Sequence, residues 1–331
     1  MTVASFFSGC GGLDLGFEQA GFDVVWANEI DTRIHQTYQY NHPKTILCKR
    51  DIRDIHYDEI PDCDGFIGGP PCQPWSLGGL MLGIKDERGK LFIRYLNLII
   101  DKKPKFFLIE NVPGLLSNSH IDIFNLFLKK LDAGGYNVYY SLLNALNFKI
   151  PQDRLRVFIV GIRKDIKTRF LFPNPVSLTP ITLRNAISDI NIKPKEYLES
   201  EVNQHYDYWL NHDVYTGGWD SKFMARNRVR SWDEPSFTIQ ALAKNCPIHP
   251  QAPKMKYVSS NKRIFQPGAE HLYRRLSIRE CARIQSFPDS FLFIYKKVID
   301  GYLMVGNAVP PRLAKYIALE LKKALRNDAV S

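Results

Sequence analysis

Four groups of residues in this chain have the types and spacing that chemistry needs. The first is Cys72, set in Gly68-Gly69-Pro70-Pro71-Cys72-Gln73-Pro74-Trp75-Ser76. Two prolines stiffen the backbone ahead of the thiol, and the glycines before them permit close packing or unusual dihedrals. A cysteine is most often a small buried hydrophobe, and that reading suffices for Cys48, Cys63 and Cys281. Cys72 differs because it follows an apolar run that reads as a strand, at the end where open α/β sheets bind ligands. As a thiolate it is a nucleophile. Glycines in Gly78-Gly79-Leu80-Met81-Leu82-Gly83 could hinge a lid after it.

The second group is Glu110, which ends the apolar strand Phe106–Ile109. It is either a solvated strand end or, on the rim that carries Cys72, a hydrogen-bonding partner for a base ring. The third is Arg154 and Arg156 in Gln152-Asp153-Arg154-Leu155-Arg156-Val157-Phe158. Period two puts both on one side of a strand. They suit a phosphate or a carboxylate, or they face water on an edge strand. The fourth is the loop Phe7-Ser8-Gly9-Cys10-Gly11-Gly12-Leu13 between the first strand and the first helix. Such glycines let a ligand approach a helix N-terminus, although they also serve plain tight turns. Glu29 and then Asp51 follow at the next strand ends, where a carboxylate can accept from ribose hydroxyls. The dinucleotide fingerprint needs Gly or Ala where Asp14 stands, so nicotinamide binding is disfavoured.

Elements that would position these groups alternate along the first half. Val3–Phe7, Val24–Ala27, Gly65–Ile67, Phe106–Ile109, Tyr139–Leu142 and Val157–Ile162 read as strands. Leu13–Ala20, Arg33–Tyr40, Leu91–Ile100 and Ile121–Leu131 read as helices between them. This alternation predicts an α/β domain with a largely parallel sheet. From Ile166 to Ser260, prolines at 173, 175, 180, 194, 235, 247, 250 and 253 break the periodicity and predict a smaller, loop-rich unit. Ser277–Gln285 reads as a helix with a capping box from Ser277 and Glu280, and Leu313–Leu325 as a final amphipathic helix.

Composition narrows the partners. The chain has 331 residues and 45% hydrophobic ones, enough for a sizeable core. A net charge of +10 favours a polyanionic partner. There is no apolar run of membrane-spanning length, and no signal peptide is expected at the start. The six cysteines form no paired framework, so free thiols in a reducing cytoplasm are expected. The eight histidines show no ligand spacing, so no metal is expected.

Taken together, the glycine loop, GGPPCQ, ENV, QDRLRVF, RRLSIRECARIQSFP (274–288) and GYLMVGNAVP (301–310) resemble the DNA cytosine-5 methyltransferase family over nearly the whole chain. The resemblance implies a Rossmann-like S-adenosylmethionine (AdoMet) domain at 1–165 and 290–331, with a target-recognition domain at 166–289 beside a DNA cleft. By resemblance, Phe7, Gly9, Cys10, Gly12, Glu29, Ile30, Asp51, Ile52, Leu91 and Asn307 line the AdoMet site. Glu29 would hold the ribose and Asp51 the adenine amine. Ile30 stands where many members have an aromatic residue, so it offers apolar contact without stacking. Cys72 would be the nucleophile and Glu110 the cytosine partner, with Arg154 and Arg156 steadying the target nucleotide and the site.

The run Lys222–Arg230, continued through Phe237-Thr238-Ile239-Gln240-Ala241 to His249-Pro250-Gln251-Ala252-Pro253, is similar to the recognition region of bacterial methyltransferases that read GGCC. Ser76, Arg226, Arg228, Arg230 and Lys244 are the implied DNA contacts. Lys244 stands where those relatives tend to have Arg, and it lacks the planar fork. The implied partner is double-stranded DNA, bound by a monomer, with a cognate restriction endonuclease as a genetic partner. The rival activities are an RNA cytosine-5 methyltransferase on the same fold and a catalytically inactive DNA-binding regulator. A cysteine hydrolase would need His120 or His271 as a partner and shows no paired motif for one.

Overall fold

The computed structural model describes residues 1–71, 87–176, 179–198, 211–219 and 221–328. In chain order its strands and α-helices are β1 (Thr2–Phe6), α1 (Gly12–Gln19), β2 (Asp23–Asn28), α2 (His35–Asn41), β3 (Ile46–Cys48), β4 (Gly65–Gly68), α3 (Glu87–Lys102), β5 (Phe106–Asn111), α4 (Ile121–Ala133), β6 (Tyr136–Asn144) and β7 (Leu155–Arg163). Then follow α5 (Leu183–Ile187), β8 (Lys195–Tyr197), β9 (Asp213–Tyr215), α6 (Ser221–Met224), β10 (Lys256–Ser259), β11 (Lys262–Ile264), α7 (Ile278–Ile284), α8 (Val298–Asn307) and α9 (Pro311–Asp328).

The first seven strands form one sheet in the order β3-β2-β1-β4-β5-β7-β6. Central β5 is buried along its whole length because both of its faces are covered. Phe106 and Leu108 point into the layer that holds α1 and α9, while Phe107 and Ile109 point into the layer of α3 and α4. That is the period-two alternation of a strand sandwiched between helices. The expected α/β class is therefore observed, with a seven-stranded mixed sheet at its centre.

Three features differ from the sequence reading. β7 runs antiparallel to both β5 and β6, so one strand of the sheet is reversed. β3, only three residues long, was too short to show a period. α8 was not anticipated, because Gly301 and Gly306 interrupt its propensity. The capping box of α7 forms as read, with Ser277 Oγ accepting from the Glu280 amide.

The loop-rich part does not stand apart from the rest. Leu183, Ile187, Tyr215, Ile239 and Cys246 share one apolar cluster with Leu276, Ile278, Met304 and Ala308. A second, smaller cluster of Phe223, Val229, Ile248, Ala252, Met255 and Tyr273 lies under the β10–β11 hairpin region. Among the described residues, no helix is long and apolar enough to cross a membrane.

α1 lies against α9 so closely that Gly16 has no room for a side chain. A Cβ there would meet Ala314 Cβ at 2.4 Å, the Pro311 carbonyl at 2.5 Å and the Lys315 amide at 2.8 Å. In an open helix, Gly→Ala would gain about 1 kcal/mol of propensity. Here two of the three obstacles are backbone, so overpacking, at about 1–3 kcal/mol, wins. Gly16→Ala is expected to lower unfolding stability, measured by urea denaturation. A neutral or stabilising result would contradict the close approach.

Candidate active site

The ends of β1, β4 and β5, the start of β7 and the end of α8 surround a cavity of about 510 Å³. This is within the range of cofactor and small-molecule sites. On one side lie Phe7, Ser8, Gly9, Cys10, Gly12, Glu29 and Asp31; on the other lie Gly69, Pro70, Pro71, Glu110, Asn111, Arg154 and Arg156. Gly306 and Asn307 close a third side.

The glycine loop leaves β1 with positive φ at Phe7, Gly9 and Gly11. The Gly9 amide donates to Glu29 Oε2 at 2.9 Å, and the Asp31 amide donates to Glu29 Oε1 at 2.8 Å. This tie sets the β2-end carboxylate against the loop. Burial holds the Glu29 carboxyl above the usual range, and those two amides partly offset it. Asp14 is no ligand: it is fully buried beneath the loop and accepts from Ser5 Oγ and Tyr38 Oη, each at 2.6 Å. Burial pushes the Cys10 thiol up to about 12, so it behaves as an inert wall that donates to the Met304 carbonyl.

Across the cavity, Glu110, the last residue but one of β5, pairs with Arg156 Nε at 3.0 Å. Both side chains are nearly buried. Burial raises the affinity of Glu110 for a proton, and the charges of Arg156 and Arg154 pull it back. Asn111 Nδ2 donates to the Pro70 carbonyl at 3.1 Å, which ties the start of the GGPPC loop to the tip of β5. Cys72 and Ser76 lie outside the described residues. Pro71, immediately before Cys72 in sequence, lines the cavity.

The two arginines take different tasks. β7 lies between β5 and β6, so the edge-strand alternative does not hold. Arg156 meets the carboxylate. Arg154 is fully buried, and its guanidinium donates to the carbonyls of Ile239, Gly306 and Ala308 at 3.0–3.1 Å. Its pKa is lowered to about 9, chiefly by burial and then by Arg156. Gln152 adds to this seat by accepting from the Ile239 amide at 2.9 Å. Gly306 faces the Gln240–Ala241 backbone so closely that a Cβ there would sit 2.3 Å from the Ala241 nitrogen.

Of the ten expected cofactor residues, Phe7, Gly9, Cys10, Gly12, Glu29 and Asn307 line the cavity. Ile30, Asp51, Ile52 and Leu91 do not. Ile30 is exposed on the Glu29 side, and Ile52 is packed in the core. Asp51 caps a short turn and pairs with Arg53 at 2.6 Å. Ser8, Asp31 and Asn111 were missed as lining residues. Ser8 lay inside the glycine motif and Asn111 beside Glu110, so adjacency was the available signal. Ser8 Oγ is buried with no partner, an orphan polar atom in the cavity wall.

The expected DNA contacts are spread more widely. Arg226 is exposed. Arg228 donates to the Phe223 and Lys222 carbonyls and lies over the Phe223 ring. Arg230 pairs with Glu234 and lies 4.1 Å over Phe237. Lys244 is exposed in a short turn after Leu242.

The Glu110–Arg156 pair generates a pH-dependent prediction. Arg156→Met removes the cation, so the folded-state affinity of Glu110 for a proton rises further above its unfolded value. The unfolded chain then releases its proton first as pH rises. The loss of stability should therefore be small near pH 4 and grow toward pH 8, reaching about 3–5 kcal/mol for a broken buried pair. Thermal melts across that range check it, and Glu110→Gln added to Arg156→Met should flatten the trend.

Residues 1–323 match the family described as C-5 cytosine-specific DNA methylase. Type II methyltransferase M.MthTI of Methanothermobacter thermautotrophicus is 52% identical over 326 residues, 98% of either chain. M.FnuDI of Fusobacterium nucleatum is 49% identical over 98% of this chain and 95% of its own length. A solved structure described as an E. coli prophage DNA modification methyltransferase superposes with a TM-score of 0.74 at 24% identity, over 98% of this chain and 99% of that one. An Entamoeba histolytica methyltransferase superposes with a TM-score of 0.68 at 20% identity, over 99% of this chain and 98% of that one. These two likenesses show the fold alone, while the family match and the sequence relatives cover nearly the whole chain. The chain belongs to the C-5 cytosine-specific DNA methylase family.

Proposed function

We propose that this protein methylates carbon 5 of the inner cytosine of GGCC in duplex DNA, as the protective half of a restriction–modification pair. The observation that carries the reading is the Glu110–Arg156 pair, in one cavity with the glycine loop and with the prolines that lead to Cys72. A base bound there would meet the Glu110 carboxyl group beside the expected cofactor wall, with Cys72 next in sequence to the lining Pro71.

AdoMet fits the cavity. The orphaned Ser8 hydroxyl needs a polar partner, and each Glu29 oxygen keeps a lone pair for a ribose hydroxyl. Phe7, Gly9, Cys10, Gly12, Glu29 and Asn307 would hold the cofactor directly, and Ile30, Asp51, Ile52 and Leu91 would extend its adenine end. When bound, AdoMet supplies an electrophilic methyl group.

The chain's own residues do the rest. The target base is inaccessible in a stack and must be flipped out, at about a few kcal/mol. The Cys72 thiolate adds to carbon 6, which moves an electron pair toward carbon 5. Glu110, when it carries a proton, gives it to N3 and so neutralises the charge that develops on the ring. Arg156 keeps Glu110 oriented and able to release that proton. After methylation, solvent takes up the carbon-5 proton, the electron pair left behind re-forms the 5,6 double bond, the carbon 6–sulfur bond breaks to return Cys72 as a thiolate, and N3 gives its proton back to Glu110. Arg154 acts from behind, as a positioning residue.

Residues 166–289 would supply the reading of DNA. The GGCC assignment rests on the likeness of the string 222–253 to methyltransferases that read that sequence. Arg226 and Arg228 are the guanine readers of this proposal, since Arg matches O6 and N7 bidentately. Arg226, being exposed, is the better placed; Arg228 would have to share its fork with two carbonyls. Arg230, Lys244 and Ser76 would add contacts around them. The naming of the relatives as Type II methyltransferases supports a restriction–modification role and a cognate endonuclease.

Two measurements test this. DNA with 5-fluorocytosine at the target should be trapped covalently, because fluorine does not leave as a proton does, and Cys72→Ala should abolish the adduct. Bisulfite sequencing of DNA from expressing cells should place the methyl in GGCC; a methyl in another sequence would remove the specificity claim and spare the chemistry. Separately, Glu29→Ala should weaken AdoMet binding by about 1–3 kcal/mol in calorimetry, the range for hydrogen bonds to a charged group. Unchanged affinity would reject the ribose assignment.

A further inference from the structure

The β10–β11 hairpin has no explanation in the core. All four residues of β10 are exposed, including Tyr257 at 60% and Val258 at 49%. A two-stranded hairpin gains little by itself, and one that leaves an aromatic and a β-branched residue in water gains less. The segment Lys254–Arg263 carries four cations (Lys254, Lys256, Lys262 and Arg263) and no acidic residue. Among the described residues, none of the four is in a salt bridge. Arg263 stands opposite Tyr257 across the strands, and its guanidinium lies 5.2 Å over that ring. This pairing holds the cation on a defined face instead of leaving it to sample solvent.

The hairpin is also fixed in relation to the proposed reading run. Asn227, between Arg226 and Arg228, accepts from the Met255 amide at 3.0 Å and donates to the Val229 carbonyl at 2.7 Å. Met255 is the residue immediately before β10. β11 packs beside α6, which leads into Arg226. The loop offered to the bases and the base of the hairpin are thus one rigid piece.

We propose that this hairpin is an arm for the phosphate backbone, gripping duplex DNA beside the target without reading it. Its chemistry is that of non-specific contact: cations on an exposed ribbon, steadied by an aromatic ring, facing a partner with regularly spaced negative charge. This rests on the reading that residues 222–253 face DNA.

The test is the salt dependence of binding. Wild-type protein and Lys256→Gln/Lys262→Gln/Arg263→Gln are titrated onto a duplex of roughly 30 base pairs, long enough to extend well past a four-base target. It carries whatever sequence bisulfite mapping assigns, and a second duplex lacks it. Loss of three phosphate contacts should shallow the slope of log K against log salt by about 2.7. Both duplexes should weaken together, so that their affinity ratio holds. A companion variant, Lys256→Arg/Lys262→Arg, keeps the charge and should keep the slope. An unchanged slope in the triple variant, with an unchanged melting temperature, overturns the proposal. So does a changed affinity ratio, which would make the hairpin part of base recognition. If wild-type protein binds neither duplex, the functional reading itself falls. If wild-type binds and only the slope fails to move, the arm alone falls.

Discussion

The site depends on one buried cation. Arg154 sits where no water can solvate its charge, so the fold is stable only if acceptors are supplied from within. Three carbonyls supply them: Ile239 from the loop-rich part, and Gly306 and Ala308 from the end of α8. These positions are 85, 152 and 154 residues away in sequence. The guanidinium therefore fixes the distance between the proposed reading segment and the cofactor wall. Two residues on, Arg156 is in register to meet Glu110. A displacement of Arg154 would move the wall, the segment and the carboxylate together.

The same junction is sealed by the absence of side chains. Gly306 lets the Gln240–Ala241 backbone rest against α8, much as Gly16 lets α1 rest against α9. Backbone touching backbone leaves no flexible atoms to absorb a change. Close packing of this kind transmits strain instead of dissipating it. The cavity wall and the segment held by Gln152 and Arg154 are in this sense one body.

The sheet was largely legible because long apolar runs with short connections leave few alternatives. Phe106–Ile109 and Val157–Ile162 read as strands from their apolar runs alone, although those runs leave open whether Glu110 and the two arginines face water. The direction of β7 was not legible, since a strand's pattern is the same in either direction. Nor was α8, whose glycines serve packing against Ile278 and Gln240 and lower the local helical signal. At the site, Glu110 and the glycine loop could be found from position at strand ends. The division of labour between Arg154 and Arg156 could not. At period two they are equivalent in sequence, and what separates them is carbonyl oxygens far along the chain. Ile30, Ile52 and Leu91 are named through family likeness and Asp51 also by its place after a strand, and local spacing alone does not say how far from the cavity they stand.

The reversal of β7 bears on how such a protein can change. Because the strand runs backwards, its beginning and not its end reaches the rim. The residues leading into it, Pro151–Asp153, are then free to dock the loop-rich part. They do so mostly with main chain: the Ser236 amide donates to the Pro151 carbonyl, and the Asp153 amide donates to the Ser236 carbonyl. Main-chain bonds are indifferent to side-chain identity. The seat therefore places few demands on what is seated. A lineage can rewrite the exposed residues of the loop-rich part while the rim of the cavity stays untouched, so that novelty in what is seated need not be repaid by change in the seat.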